Sequence, residues 1–287
     1  MKTSSNIPSE LLSLCFQNYT MSKIVLITGG SSGIGKCIGE FLTDKGCVVY
    51  GTSRNPEKIQ QSKISLVKLD VRDKDSITEA VQYIIDKHQR IDVLINNAGV
   101  GITGPLEEIP LEEIQNNFHT NVFGPIEMMK AVLPIMRKQK KGLIINVTSI
   151  AGYMGLPFRS VYSSSKGALE LITEAIRMEV KPFGINITNV APGDFATDIA
   201  SRRYHAPVIK NSPYEKVYQQ QLDTINEHVN AGGNPLEMAE AVWKIIETKN
   251  PKVHYKVGAF MQKFSIVLKK ILPDTWYEKI LMNHYRL

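Results

Sequence analysis

Lys23-Ile24-Val25-Leu26-Ile27-Thr28 is an apolar run of strand length that opens directly into Gly29-Gly30-Ser31-Ser32-Gly33-Ile34-Gly35. Behind it, Ile34, Cys37, Ile38, Phe41 and Leu42 recur at helical spacing. Strand, glycine turn and helix in that order is the opening of a βαβ unit. Glycines let a backbone approach a pyrophosphate closely, and a helix N-terminus offers unpaired N–H groups and a positive dipole end. The spacing is Gly-x-x-x-Gly-x-Gly rather than the general Gly-x-Gly-x-x-Gly fingerprint, so the turn alone leaves a purely structural role open.

Further apolar runs follow at Cys47–Thr52, Ser65–Leu69, Asp92–Asn96, Gly142–Thr148, Ile185–Val190 and Val253–Val257, separated by helical patterns of a dozen residues or so. That alternation predicts an α/β fold: a single doubly wound Rossmann-type domain with a central parallel sheet and helices on both faces. A composition of 43% hydrophobic and 22% charged residues is that of an ordinary globular chain, without repeats or low-complexity tracts. Residues 1–20 read as a flexible extension, residues 21–258 as the folded domain and residues 259–287 as an amphipathic helical tail. Met21, just before the first strand, is an alternative start. No apolar run approaches the ~20 residues needed to span a bilayer. The cysteines (Cys15, Cys37, Cys47) are unpatterned and the six histidines lack ligand spacing, which points to the cytoplasm and to no metal.

Tyr162-Ser163-Ser164-Ser165-Lys166 places a phenol and an ammonium on one helix face. A nearby cation favours the phenolate, which makes Tyr162 a usable proton donor or acceptor. Ser149, thirteen residues upstream, ends the buried run Gly142–Thr148, where a hydroxyl can reach the same spot. Asn96-Asn97-Ala98-Gly99 ends another strand in a small-residue turn, Asn121 follows a plausible helix, and Pro192-Gly193 closes the run from Ile185.

In this order the motifs resemble the short-chain dehydrogenase/reductase family, over about residues 23 to 200. Gly155-Leu156-Pro157-Phe158 and the long C-terminal part look most like its 17-beta-hydroxysteroid and retinol dehydrogenase branch. The resemblance implies an oxidoreductase that moves a hydride between a nicotinamide cofactor and a carbonyl or secondary alcohol. Catalysis would fall to Asn121, Ser149, Tyr162 and Lys166: Tyr162 trades the proton, Ser149 bonds the substrate oxygen, and Asn121 holds a water that relays protons to Lys166. Cofactor contacts would come from Gly29, Ser31, Ser32, Gly33, Ile34 and Gly35, from Asp70 and Val71, from Asn97, Ala98 and Gly99, from Tyr162 and Lys166, and from Pro192, Gly193, Phe195 and Thr197.

Ser53-Arg54 ends the second strand where an NAD-preferring relative would carry an acidic residue. These two side chains can bond and neutralise a 2′-phosphate, so the expected cofactor is NADP(H). Residues 198–233 match the family's substrate-covering segment; Arg202, Arg203, Tyr204 and His205 are expected at a solvated surface, with contact to substrate as the alternative. The expected partner is a small-molecule, largely apolar ketone or alcohol. A 3-oxoacyl carrier-protein reductase and a non-catalytic NADP(H)-binding regulator are the alternatives.

The net charge of +6 is concentrated at the end: residues 252–287 carry seven basic and two acidic side chains, or +5, leaving +1 for everything before. That distribution gives no nucleic-acid footprint on the main domain. In the tail, Phe260, Phe264, Val267, Leu268 and Ile271 form one helical stripe, and Trp276, Tyr277, Ile280 and Leu281 mark a second helix after Pro273. Packing of both stripes on the domain, or as a roof over the pocket, is the expected arrangement. A basic foot on anionic membranes is the alternative, and homo-oligomerisation is also open.

Overall fold

The computed structural model describes residues 22–195, 203–230 and 232–287, with the side chains of residues 225–230 outside the description. The extension at 1–20, Thr197 and residues 198–202, including Arg202, lie outside the described residues.

The chain runs β1 (Ile24–Ile27), α1 (Gly33–Asp44), β2 (Val48–Ser53), β3 (Ser65–Lys68), α2 (Lys74–His88), β4 (Val93–Asn96), β5 (Ile102–Thr103), α3 (Leu111–Phe118), α4 (Gly124–Gln139), β6 (Gly142–Val147), α5 (Ser160–Val180), β7 (Ile185–Pro192), β8 (Tyr204–His205), α6 (Glu215–Asn230), α7 (Leu236–Glu247), β9 (His254–Val257), α8 (Phe260–Ile271) and α9 (Asp274–Tyr285). Seven strands form one parallel sheet in the order β3-β2-β1-β4-β6-β7-β9. The chain leaves β1 toward β2 and β3, then crosses back to β4. That reversal opens a crevice at the carboxyl ends of β1 and β4, where such sheets bind ligands.

Strand alternation sorts the core into two layers. Ile24 and Leu26 of β1 pack with α2 and α4 through Ile77, Ile84, Met128 and Val132. Val25 and Ile27 point the other way, onto Ile38 and Leu42 of α1 and Met238 and Val242 of α7. Both faces are covered, which is why the strands read as continuous apolar runs rather than alternating ones.

A smaller parallel ribbon, β5 with β8, stands above the sheet and brings Tyr204 and His205 against Ile102 and Thr103. The tail forms two helices separated at Leu272-Pro273. Its apolar stripe does not all pack inward. Leu268 is half-buried, whereas Phe260, Phe264, Val267 and Ile271 face outward. The inner face of α8 is instead Gln262, Ser265 and Ile266, and Tyr277 and Leu281 turn inward from α9. No helix among the described residues is long and apolar enough to cross a membrane.

Candidate active site

The glycine turn is stitched to β4 through one hydroxyl. Thr28 Oγ1 accepts from the backbone N–H groups of Asn97 and Ala98, both at 3.0 Å, while Asn97 Nδ2 donates to the carbonyls of Thr28 (3.0 Å) and Gly29 (3.2 Å). Gly29 lies at φ +67°, and a Cβ there would meet Ala98 Cα at 3.1 Å. At Gly35 a Cβ would stand 2.4 Å from both Asn97 Nδ2 and the Gly29 carbonyl. Ser32 precedes α1 without bonding its first turn by its side chain, so those N–H groups face the crevice uncapped.

Two cavities flank this turn and share Gly29, Ala98, Gly99 and Val100. The larger, about 540 Å³, is lined by Ser31, Ser53, Arg54, Asp70, Val71 and Arg72. The smaller, about 130 Å³, is lined by Ser32, Gly33, Ile34, Tyr162, Lys166 and Pro192. An elongated dinucleotide fits this arrangement: the glycine cradle sits between a polar, basic end and an end that carries the Tyr–Lys pair. Arg72 was not singled out in the sequence. It donates to Asp70 from its backbone N–H (3.0 Å), Nε (3.3 Å) and Nη2 (3.1 Å), which puts a second guanidinium beside Arg54. Burial alone would raise the Asp70 carboxyl, but these bonds, with the charges of Arg72 and Arg54, hold it below the usual carboxylate range.

Lys166 is buried and its Nζ donates to the Val147 carbonyl at 3.0 Å, at the end of β6. Burial pushes its ammonium below the ordinary lysine value, while Tyr162 and Glu170 act in the opposite sense. A Cβ on Gly99 would stand 3.2 Å from both Lys166 Nζ and Asn121 Oδ1, so those two groups converge on the smaller cavity's edge. Asn121 sits in a π-helical turn, His119–Phe123, that interrupts the run from α3 to α4. Its amide is fixed on the Val100 backbone, with N–H to Oδ1 at 2.9 Å and Nδ2 to carbonyl at 2.9 Å. Ser149 is buried just past β6 and accepts from the Ala151 N–H at 3.2 Å.

Of the remaining expected contacts, Gly193 is packed against the tail, where a Cβ would collide with Gln262 Oε1. Phe195 lines neither cavity. Its ring is buried in the core with Met238 and Ala239 of α7, and its backbone pairs with Gly233 just before that helix.

Glu170 was also missed, although Tyr162, Lys166 and Glu170 recur every four residues along α5. This buried carboxylate accepts from Thr148 Oγ1, Tyr153 OH (2.8 Å) and Asn189 Nδ2 (2.9 Å), and bonds His254 Nδ1 at 2.7 Å. It therefore ties Thr148, the residue after β6 and next to Ser149, to Asn189 of β7 and His254 of β9. Burial, then the Glu170 charge, pushes the Tyr153 phenol well up, so Tyr153 acts there as a donor.

Tyr162 packs against an apolar, aromatic cluster: Ile102, Ile109, Val161, Ala206 and Tyr218 are buried, with Phe118, Phe158 and Tyr204 against them. Charged side chains stand beside this cluster. The Arg159 guanidinium lies 5.5 Å from the Tyr162 ring centroid and also bonds the Tyr285 hydroxyl from α9. Arg203 is half-buried against Gly101, and its Nη1 is buried without a hydrogen-bond partner among the described residues. Burial, then the like charge of Arg159, lowers its guanidinium, while Tyr162 and Asp194 act oppositely. Arg203, Tyr204 and His205 are each half-buried rather than fully solvated, because β8 pairs with β5 and holds the segment against the domain.

A family profile described as short chain dehydrogenase matches residues 23–207. A 3-ketodihydrosphingosine reductase of Bacteroides thetaiotaomicron is 41% identical over 266 residues, covering 92% of this chain and 98% of its own. An NADPH-dependent 3-dehydrocapnine reductase of Ornithobacterium rhinotracheale is 30% identical over 272 residues, 90% and 95% of the two chains. Among solved structures, a short-chain dehydrogenase from Streptomyces avermitilis superposes with a TM-score of 0.77 at 29% identity, over 90% of this chain and 97% of that one.

Proposed function

The chain belongs to the short-chain dehydrogenase family, and from that premise we propose that it uses NADPH to reduce the ketone of a long-chain substrate with a polar head, of the 3-ketodihydrosphingosine class. The family membership makes it an oxidoreductase acting on a small molecule with a nicotinamide cofactor. The observation that carries the finer reading is what surrounds Tyr162: an apolar, aromatic cluster packs against it, and the charged side chains of Arg159, Arg203 and Asp194 are grouped close by. An alkyl chain suits the first part and a charged or hydroxylated head the second. The 41% relative is named for a substrate of that shape, which favours it over the steroid and retinol substrates suggested by the branch resemblance.

When bound, the nicotinamide cofactor supplies the hydride. Ser53, Arg54 and Arg72 would hold the 2′-phosphate end, and the 30% relative named as NADPH-dependent supports that preference. At the other end, Tyr162 donates its proton to the carbonyl oxygen as negative charge builds there. The Ser149 hydroxyl bonds the same oxygen. Lys166 stabilises the phenolate left on Tyr162, and Asn121, anchored on Val100, orients the relay that returns the proton. A reduced cytosolic NADPH pool sets the direction toward the alcohol.

The 3-oxoacyl carrier-protein reductase reading is disfavoured by the tail. Relatives of that kind usually end near β9, whereas here Gln262 of α8 donates to Asp194 at 2.8 Å and packs on Gly193. A non-catalytic regulator would not need the Ser–Tyr–Lys–Asn set that this chain retains. The test is NADPH oxidation with 3-ketodihydrosphingosine set against a ketosteroid, retinal and an acetoacetyl thioester. Turnover fastest with 3-ketodihydrosphingosine supports the reading. Preference for any other member of the panel rejects it.

A further inference from the structure

We infer that the outward face of the two tail helices is a docking surface for a bilayer containing anionic lipid. Phe260, Phe264, Val267 and Ile271 fall at i, i+4, i+7 and i+11, and this stripe faces away from the domain. Phe260 is 73% exposed and Ile271 71% exposed, whereas Ile266 on the opposite side of the same helix is 1% exposed. The two phenyl rings stack at 5.7 Å, which makes a continuous apolar ridge. Helix α9 adds Trp276, 64% exposed, and Ile280. An apolar ridge of this extent on a water-soluble surface costs free energy unless something covers it.

Charge decides between occupants. Lys263 and Lys270 flank the stripe and Lys279 follows on α9. None of the three is in an ion pair among the described residues, whereas Lys269 is bound to Asp274 at 2.7 Å. An isologous contact between two copies would bring these lysines together. An anionic lipid surface matches them, and polybasic segments beside apolar residues bind such surfaces. The inner face of α8 is already occupied by Asp194 and the Gly193 backbone, so the ridge is not a displaced piece of core. Helix α9 also carries Tyr285, which bonds Arg159 beside the Tyr162 ring, so the docked tail is tied to the catalytic tyrosine's surroundings. The docking itself does not depend on which ketone is reduced.

The test is co-sedimentation of the full chain with phosphatidylcholine vesicles and with vesicles that also contain phosphatidylglycerol, alongside the double variant Phe260→Glu/Ile271→Glu. Both positions are exposed, so an unchanged melting temperature of the variant certifies its fold. The expected result is binding at least about tenfold stronger to the anionic vesicles, weakened by salt, and lost in the variant. A second readout uses Trp243→Phe, which leaves Trp276 as the sole tryptophan. Its emission should shift to the blue on anionic vesicles. Full-length protein that stays in the supernatant with both vesicle types overturns the inference, as does a variant that binds like the parent. A parent that is dimeric by light scattering, with a monomeric variant and no vesicle binding by either, assigns the face to a second copy.

Discussion

Arg72 closes a fork on Asp70, with Nε 3.3 Å from Oδ1 and Nη2 3.1 Å from Oδ2. The carboxylate stays ionised and bonds Arg72 directly, so of the two guanidiniums at this end of the crevice Arg54 is the one not forked on Asp70. A charge-assisted hydrogen bond contributes about 1.5–3 kcal/mol. Arg54→Asp should therefore lower the ratio of kcat/KM for NADPH over NADH by about tenfold or more. A ratio that does not move would remove Arg54 from cofactor selection.

Tyr162→Phe keeps the ring under Arg159 but removes the proton. General acid catalysis is worth about 10²–10⁴-fold, so kcat should fall within that range while the dissociation constant for NADPH stays nearly the same. A loss below tenfold with chemistry rate-limiting would contradict the role given to the phenol.

Glu170→Gln should act through the residues it holds. A neutral amide cannot accept from Thr148, Tyr153, Asn189 and His254 together, and each buried donor left unmade costs about 1–3 kcal/mol. We expect a melting temperature lower by several degrees and a fall in kcat, because Thr148 is the neighbour of Ser149. Unchanged thermal unfolding would show that the network relaxes without it.

Tyr218 offers one O–H to two carbonyls, those of Thr103 and Ala206, both at 3.0 Å. Burial is the main cause that pushes this phenol up to about 12 from its ordinary value near 10. Its folded pKa is raised, so the protonated form is preferred in the fold. The stabilisation is complete below pH 10 and declines between pH 10 and 12, where only the unfolded chain ionises. Tyr218→Phe should be destabilised by about 1–3 kcal/mol at pH 8. Measured by denaturant unfolding, its deficit should shrink between pH 10 and 12. A deficit constant across that window would contradict the buried phenol.

Strands were legible because a sheet covered on both sides demands unbroken apolar runs, and Ile24–Ile27 and Gly142–Val147 lie where such runs occur. The glycine turn and the Tyr162–Lys166 pair were legible because their chemistry is local in sequence. What was hidden depends on distant partners. The two-residue strands β5 and β8 gain their identity only by pairing across about a hundred residues, so Arg203 read as surface. Nothing local signals the π-turn that aims Asn121. Glu170 carries no signal apart from its spacing until Thr148, Asn189 and His254 arrive from three different strands. The tail shows the limit most sharply: a stripe can be counted from Phe260 to Ile271, but its direction is set by how Gln262 and Ile266 meet the domain.

The sheet order β3-β2-β1-β4-β6-β7-β9 has a kinetic consequence. Every strand after the first pairs with one that precedes it in the chain, so a polypeptide leaving the ribosome can extend the sheet outward without holding a gap open. Parallel pairing excludes a hairpin as nucleus, and each addition must close a crossover loop first, which makes such sheets slow to form. The last addition is His254–Val257 onto Asn189–Pro192. Until those residues emerge, the β7 edge is unpaired, and a nascent chain stalled before residue 254 presents it to any chaperone or neighbouring chain within reach.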